Sequence, residues 1–136
     1  MSAERQGEMR ILTEGDIVVA RKVVRGVAND AGFGLTDVTR IVTAASELTR
    51  NVFRYAGAGV LRWRNIDTNS SVGVEFVFED YGPGIADIPQ AMQEGFTTSG
   101  GLGLGLPGAK RLMDEFDICS EPGKGTTIKI TKWKNK

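Results

Sequence analysis

The chain contains no histidine. That absence removes Ser-His-Asp and Cys-His nucleophilic chemistry, zinc sites built on imidazole, and self-phosphorylation on histidine. Any base or metal ligand must come from Asp, Glu, Asn, Lys or the backbone. Cysteine is nearly absent too. The lone Cys119 excludes a disulfide within the chain and fits a reducing compartment. It lies in the apolar stretch 116–119 and reads as a small core residue, not a nucleophile. No apolar run approaches the roughly 20 residues of a membrane span, and the polar residues 1–10 lack a signal-peptide core. A cytoplasmic protein with no membrane partner is expected. Net charge is lacking as well: 17 basic residues balance 17 acidic ones. Such a chain has no overall field to gather polyanions, so nucleic acid is not an expected partner. Lys129, Lys132, Lys134 and Lys136 crowd the C-terminus and read as a solvated edge strand and tail. No Gly-Lys-Ser/Thr closes a Walker A loop, and no His-Arg-Asp loop marks a eukaryotic-type kinase.

What is present is an ordinary globular composition, 40% apolar and 25% charged in 136 residues. One domain spanning residues 1–136 is expected. Residues 8–13 read as a strand. Thr13-Glu14-Gly15-Asp16 resembles a capping box, and Ile17, Ala20, Val24, Val27 and Ala31 follow at helical spacing until Gly32 and Gly34. A second helix is expected over 36–55, with Ile41, Ala45, Leu48, Val52 and Tyr55 as its apolar stripe. Strands are expected near 60–66 and 72–80. In the latter, Val72, Val74, Phe76 and Phe78 alternate with polar residues and glycine, as in a sheet with one buried face. Residues 81–103 are rich in Gly, Pro, Ser and Thr, with one short helical turn near 88–94. So long an irregular stretch usually serves function, often as a lid. A helix near 104–114 and strands near 115–120 and 125–133 complete the pattern. The order of elements predicts an α+β fold: a two-layer sandwich with helices on one face of a mixed sheet.

Four segments carry candidate chemistry. Glu47, Asn51 and Arg54, spaced by four and three, share one face of the second helix, beside its apolar stripe. An amide oxygen suits Mg²⁺, which is often held by one or two protein groups plus phosphates and water. A guanidinium suits phosphate, and a carboxylate suits a proton arriving from a hydroxyl. A solvated polar stripe would look the same. Asp80-Tyr81-Gly82-Pro83-Gly84 follows a strand directly. A carboxylate there can accept from the exocyclic amino group of adenine, whereas guanine presents an oxygen at that position. Gly82 and Gly84 let the backbone pass close to a flat base, although Gly-Pro-Gly also makes surface turns readily. The run from Gly100 to Leu106 leads into a helix. Its exposed N–H groups suit phosphate, and its glycines suit a closing lid. Gly103, Gly105 and Gly108 match a dinucleotide fingerprint by letter only, since a loop and not a strand precedes them. Gly123-Lys124-Gly125-Thr126-Thr127 reads as a hairpin turn whose threonine hydroxyls can reach a base or Asp80.

In order, these pieces are Glu-x-x-x-Asn, Asp-x-Gly-x-Gly, Gly-x-Gly-x-Gly and Gly-Thr. That order and spacing resembles the superfamily of DNA gyrase, the ninety-kilodalton heat-shock chaperone, histidine kinases and mismatch-repair ATPases (GHKL proteins). The similarity runs from about residue 36 to residue 130. The resemblance implies a Bergerat fold that binds ATP and Mg²⁺. It makes Asn51 the Mg²⁺ ligand, places Arg54 beside the phosphates and gives Asp80 the adenine. Gly101, Leu102, Gly103, Leu104, Gly105 and Leu106 would cover the phosphates, and Gly125 with Thr126 or Thr127 would close the base pocket. Gly82, Gly84, Ile85 and Thr98 complete the implied nucleotide-binding set.

The chain lacks the large added domains of gyrase and the chaperone, and it lacks the phosphoacceptor histidine of histidine kinases. It is most similar to compact bacterial serine kinases: the anti-sigma-factor kinases and, through residues 103–116, the stressosome switch kinases. The latter resemblance implies a serine/threonine protein kinase with Glu47 as base. Its substrates would be STAS-domain antagonist proteins, and on release it would activate a PP2C-type phosphatase. Two other readings stay open: a kinase that sequesters a sigma factor, and a nucleotide-gated binding module without kinase activity.

Overall fold

A computed structural model describes residues 6–84 and 105–134. Its elements are β1 (Gln6–Ile11), α1 (Asp16–Asp30), α2 (Leu35–Ala56), β2 (Gly59–Asp67), β3 (Val72–Asp80), α3 (Gly105–Leu112), β4 (Glu115–Glu121) and β5 (Gly125–Trp133). The expected helical turn near 88–94 lies outside the described residues.

Local chemistry sets the helix limits. β1 stops two residues short of its expected end because Asp16 Oδ2 accepts from the N–H groups of Leu12 (2.8 Å) and Thr13 (2.9 Å). Those donors are spent on the entry to α1 and not on a strand ladder. This is the back-reaching half of the expected capping box; the N-cap itself is Gly15, with no side-chain cap bond. The same two bonds hold the Asp16 carboxyl below its ordinary range. At the other end, Gly32 N–H donates to Asn29 O and Phe33 N–H to Ala28 O, a Schellman closure with Phe33 buried behind it. α2 ends at Gly57, whose φ of 79° is left-handed and whose N–H donates to Phe53 O.

The strands form one sheet in the order β1-β2-β3-β5-β4. A mixed sheet was expected, yet every described pairing is antiparallel. β3 and β4 do run the same way, but the β4–β5 hairpin places β5 between them. This position also corrects the reading of the C-terminal lysines. β5 is interior, Lys132 Nζ lies 3.4 Å from Asp114 Oδ1 and 3.8 Å from Asp37 Oδ1, and Lys129 faces Glu75.

The register sorts side chains by face. Met9, Leu61, Phe78, Ile128 and Ile118 make one inward row, and Trp63, Phe76, Ile130 and Phe116 the next. Against this face lie Ala20, Val24 and Ala28 of α1 and Val38, Ile41, Ala45, Leu48 and Val52 of α2, all buried. Tyr55, the expected last member of the α2 stripe, is 45% exposed in the final turn. α3 packs on α2 through the buried residues Leu106, Pro107, Gly108 and Ala109. Among the described residues, no helix lies on the opposite sheet face. That face is laced with ion pairs, Glu8–Arg62–Glu79 and Arg64–Glu75. Cys119 belongs to this face and is exposed. On an edge strand with strict alternation, Phe116 and Ile118 take the core side and leave Cys119 the other, so the expectation of a core cysteine does not hold.

Candidate functional site

One end of the sheet and the last turns of α2 converge. The terminal row of the inward face is Ile11, Gly59, Asp80, Thr126 and Ser120, set by the pairings Ile11↔Gly59, Gly59↔Asp80, Asp80↔Thr126 and Ser120↔Thr126. Gly59 supplies no side chain, so Asp80 meets no bulk from β2. The backbone beyond Asp80 turns at once: Asp80 Oδ1 accepts from Gly82 N–H at 2.9 Å, an Asx turn. There Gly82 lies against Ala56, the last residue of α2, so closely that a Cβ on Gly82 would sit 2.6 Å from the Ala56 Cβ. The sheet end and the helix end are therefore joined at Gly82.

The hairpin turn between β4 and β5 packs on the same segment. Pro122 and Gly123 occupy its centre, with Lys124 N–H donating to Glu121 O at 3.0 Å and Gly123 at φ 81°. Gly123 N–H in turn donates to Pro83 O at 2.7 Å. Gly84 (φ 78°) has no room for a side chain against the Glu121 carbonyl, nor has Gly125 (φ 100°) against the Asp80 carbonyl. Two glycine segments about forty residues apart in sequence are thus one packed unit.

On α2, Glu47 is 6% exposed, and Arg50 Nη1 donates to its Oε1 at 3.1 Å. Asn51, one turn further, is half-buried, and Arg54 is exposed in the last turn. The stripe predicted from spacing is present, graded from buried carboxylate to exposed guanidinium. Gly105 (φ 52°) and the buried Leu106 open α3, which packs on α2. Ile85, Thr98, Gly101, Leu102, Gly103 and Leu104 lie outside the described residues.

The two candidate threonines separate. Thr126 is 9% exposed and sits across from Asp80 on the inward face. Thr127 pairs with Glu79 and belongs to the opposite face, so it is not gathered with the others. Glu79 is likewise turned away. Arg62 hydrogen-bonds it there and holds its carboxyl below the ordinary range, with Tyr81 Oη also donating to it at 3.2 Å. Sequence reasoning missed Arg50, whose spacing of three from Glu47 was the available signal. It also missed Ser120, whose place in the row depends on the β4–β5 register. Ser120 Oγ donates to Gly125 O at 3.0 Å and lies 2.7 Å from Thr126 Oγ1.

The Asp80 carboxylate, the two glycine segments packed beside it and the end of α2 thus meet at one end of the sheet. The family model of histidine kinase-, DNA gyrase B- and HSP90-like ATPases matches residues 36–136. The chain belongs to this family. The family assignment brings ATP use with it and accounts for the α+β architecture of helices over one sheet face. Among curated relatives, the Bacillus subtilis serine/threonine-protein kinase RsbT is 52% identical over 128 residues, 94% of this chain and 96% of that one. An anti-sigma F factor of Caldanaerobacter subterraneus is 32% identical over 84% of this chain and 82% of its own. Among solved structures, the RsbU and RsbW domains of Rv1364c from Mycobacterium tuberculosis share the fold. That match has a TM-score of 0.63 and 19% identity, covering 96% of this chain and 32% of that one. Among the described residues, no helix is long and apolar enough to cross a membrane.

Proposed function

We propose that this member of the ATPase family is a serine/threonine protein kinase of a bacterial partner-switching circuit, built as a single domain and acting in the cytoplasm. The observation that carries the reading is the junction of the last turn of α2 with the sheet end, where Gly82, two residues after Asp80, lies against Ala56. The similarity to the RsbT kinase across almost the whole chain supports the enzyme class.

In this reading ATP lies with its adenine against Asp80 and its phosphates toward α2 and the start of α3. Asp80 accepts from the adenine amino group. Gly82 and Gly84 keep side chains away from the base plane, and Thr126 closes the pocket beside them. Gly101 to Leu106 cover the phosphates, with Ile85 and Thr98 completing the wall. A single amide oxygen on a half-buried helix face fits a Mg²⁺ ion whose other ligands are phosphate and water; Asn51 would hold it. A bound Mg²⁺ supplies charge neutralisation on the phosphates, and Arg54 adds positive charge nearby.

The incoming serine or threonine hydroxyl attacks the γ-phosphorus. Its O–P bond forms as the bond to ADP breaks, and Glu47 takes the hydroxyl proton. Arg50 holds the Glu47 carboxylate in place. No nucleophile is needed from this chain, which suits its lack of histidine. The substrate is a STAS-domain antagonist. A phosphate placed in its interface with the kinase weakens the complex by charge and desolvation, and the freed kinase then engages a PP2C-type phosphatase.

Intact-mass measurement of a STAS-domain antagonist from the same genome, after incubation with ATP and Mg²⁺, tests this. Wild type is expected to add one phosphate. Glu47→Ala is expected to retain ATP but to transfer about a thousandfold more slowly. Equal transfer by both proteins would remove Glu47 as the base. The similarity to anti-sigma F factors favours a second reading, in which the same pocket controls the sequestration of a sigma factor. In that case a sigma factor would co-purify with the chain in place of the antagonist or phosphatase.

A further inference from the structure

Glu47 is buried, yet its carboxylate is only half engaged. Arg50 Nη1 donates to Oε1 at 3.1 Å, and among the described residues no hydrogen bond reaches Oε2. The guanidinium is unevenly used too. Among the described residues its Nη1 bond to Glu47 is the only one it makes, while the Arg50 side chain is 27% exposed. Its remaining N–H groups form a rigid fork that can only donate. Successive residues of a helix turn by about 100°, so Arg50 and Asn51 stand on opposite sides of Glu47. The Asn51 side is the one assigned above to Mg²⁺ and the phosphates. The Arg50 side is left for the protein that brings the hydroxyl, because in-line attack needs the hydroxyl opposite the leaving ADP.

We propose that Arg50 docks the protein substrate as well as supporting Glu47: one N–H stays on Glu47, and the rest of the fork binds an Asp or Glu carboxylate of the substrate beside its acceptor hydroxyl. The proposal rests on Glu47 as the base of the phosphoryl transfer read above. A guanidinium pairs with a planar carboxylate through parallel N–H bonds. Glu47 fixes the guanidinium in advance, so little side-chain freedom is lost on docking. The arrangement ties docking to chemistry. A substrate carboxylate on Arg50 sets the neighbouring hydroxyl against Glu47 Oε2, the oxygen that Arg50 leaves unengaged. A substrate without that carboxylate reaches the same base in poorer orientation.

The test is the initial rate of phosphate transfer to a STAS-domain antagonist, read by intact mass at saturating ATP-Mg over a range of antagonist concentrations. It is run on wild type, Arg50→Gln and Arg50→Lys. Gln keeps an N–H for Glu47 but has neither charge nor fork. Its KM for the antagonist is expected to rise about tenfold, with ATP affinity by equilibrium dialysis equal to wild type. The wild-type KM is also expected to rise with ionic strength more steeply than the Arg50→Gln value, because the contact is ionic. Lys keeps the charge but lacks the fork that serves two carboxylates at once, so its KM is expected to rise as well. If kcat falls in both variants while KM stays at the wild-type value, Arg50 only supports Glu47 and the proposal is overturned. A loss of ATP affinity would place Arg50 with the phosphates, and equal salt slopes would remove the carboxylate; either result overturns it. A wild type that phosphorylates no antagonist fails the kinase reading itself and takes the proposal with it. Should circular dichroism show Arg50→Gln unfolded, the KM of Arg50→Lys decides alone.

Discussion

At the scale of single residues, the site depends on the side chain that Gly125 withholds. Gly125 must be glycine twice over: its φ of 100° disfavours any Cβ, and that Cβ would overlap the Asp80 carbonyl. Gly125→Ala is expected to cost about 2 kcal/mol or more of stability in a chemical denaturation series, and a cost near zero would mean the β3–β5 contact is loose. Glycine spacing was visible in the sequence, but its partner was not, because the close approach joins β3 to a hairpin that folds against it from far along the chain. The choice between Thr126 and Thr127 shows the same limit. Adjacent residues in a strand face opposite ways, and only the pairing with Asp80 decides which of them looks inward. Cys119 was misplaced for a related reason, since a short apolar stretch does not say which of its members meets the core.

At the scale of elements, patterning carried most of the information. α2 was expected over 36–55 and is Leu35–Ala56, because a long amphipathic stripe bounded by Gly34 and Gly57 leaves few alternatives. The α1 entry is less direct, since it rests on one carboxylate. Asp16 has its folded pKa lowered from the ordinary 3.8 by the Leu12 and Thr13 amides. Its contribution is therefore present above that ordinary value and is lost as pH falls through the lower folded value. Asp16→Asn is expected to lower the melting temperature slightly near neutral pH. The gap between variant and wild type should close as pH drops below 3.8; a gap that persists in strong acid would mean the charge is irrelevant to the α1 entry.

At the scale of the whole molecule, the helical layer is tied to the sheet at its other end by Lys132. Its side chain, 11% exposed, lies between Asp37 of α2 and Asp114 before β4. Asp114 also accepts from Trp133 N–H at 2.7 Å. Lys132→Ala leaves two carboxylates facing each other and is expected to cost about 2 kcal/mol, less than a fully buried pair because both acids are partly solvated. Urea unfolding measures it, and a loss below about 0.5 kcal/mol would make the cluster ordinary surface charge. The sequence suggested a solvated tail here because sheet order, which puts β5 in the interior, is not encoded in local pattern.

The claim on which the rest depends is that Asp80 reads the adenine of ATP. Asp80→Asn is the sharpest probe: Asn keeps an oxygen for the Gly82 N–H, so the Asx turn survives. It also presents an NH₂ donor that opposes the adenine amino group. Isothermal titration of ATP-Mg into wild type and Asp80→Asn, with both melting alike, is expected to show affinity falling about thirtyfold in the variant. Equal affinity in the two proteins would contradict the placement of the base at the sheet end, and with it the site described above.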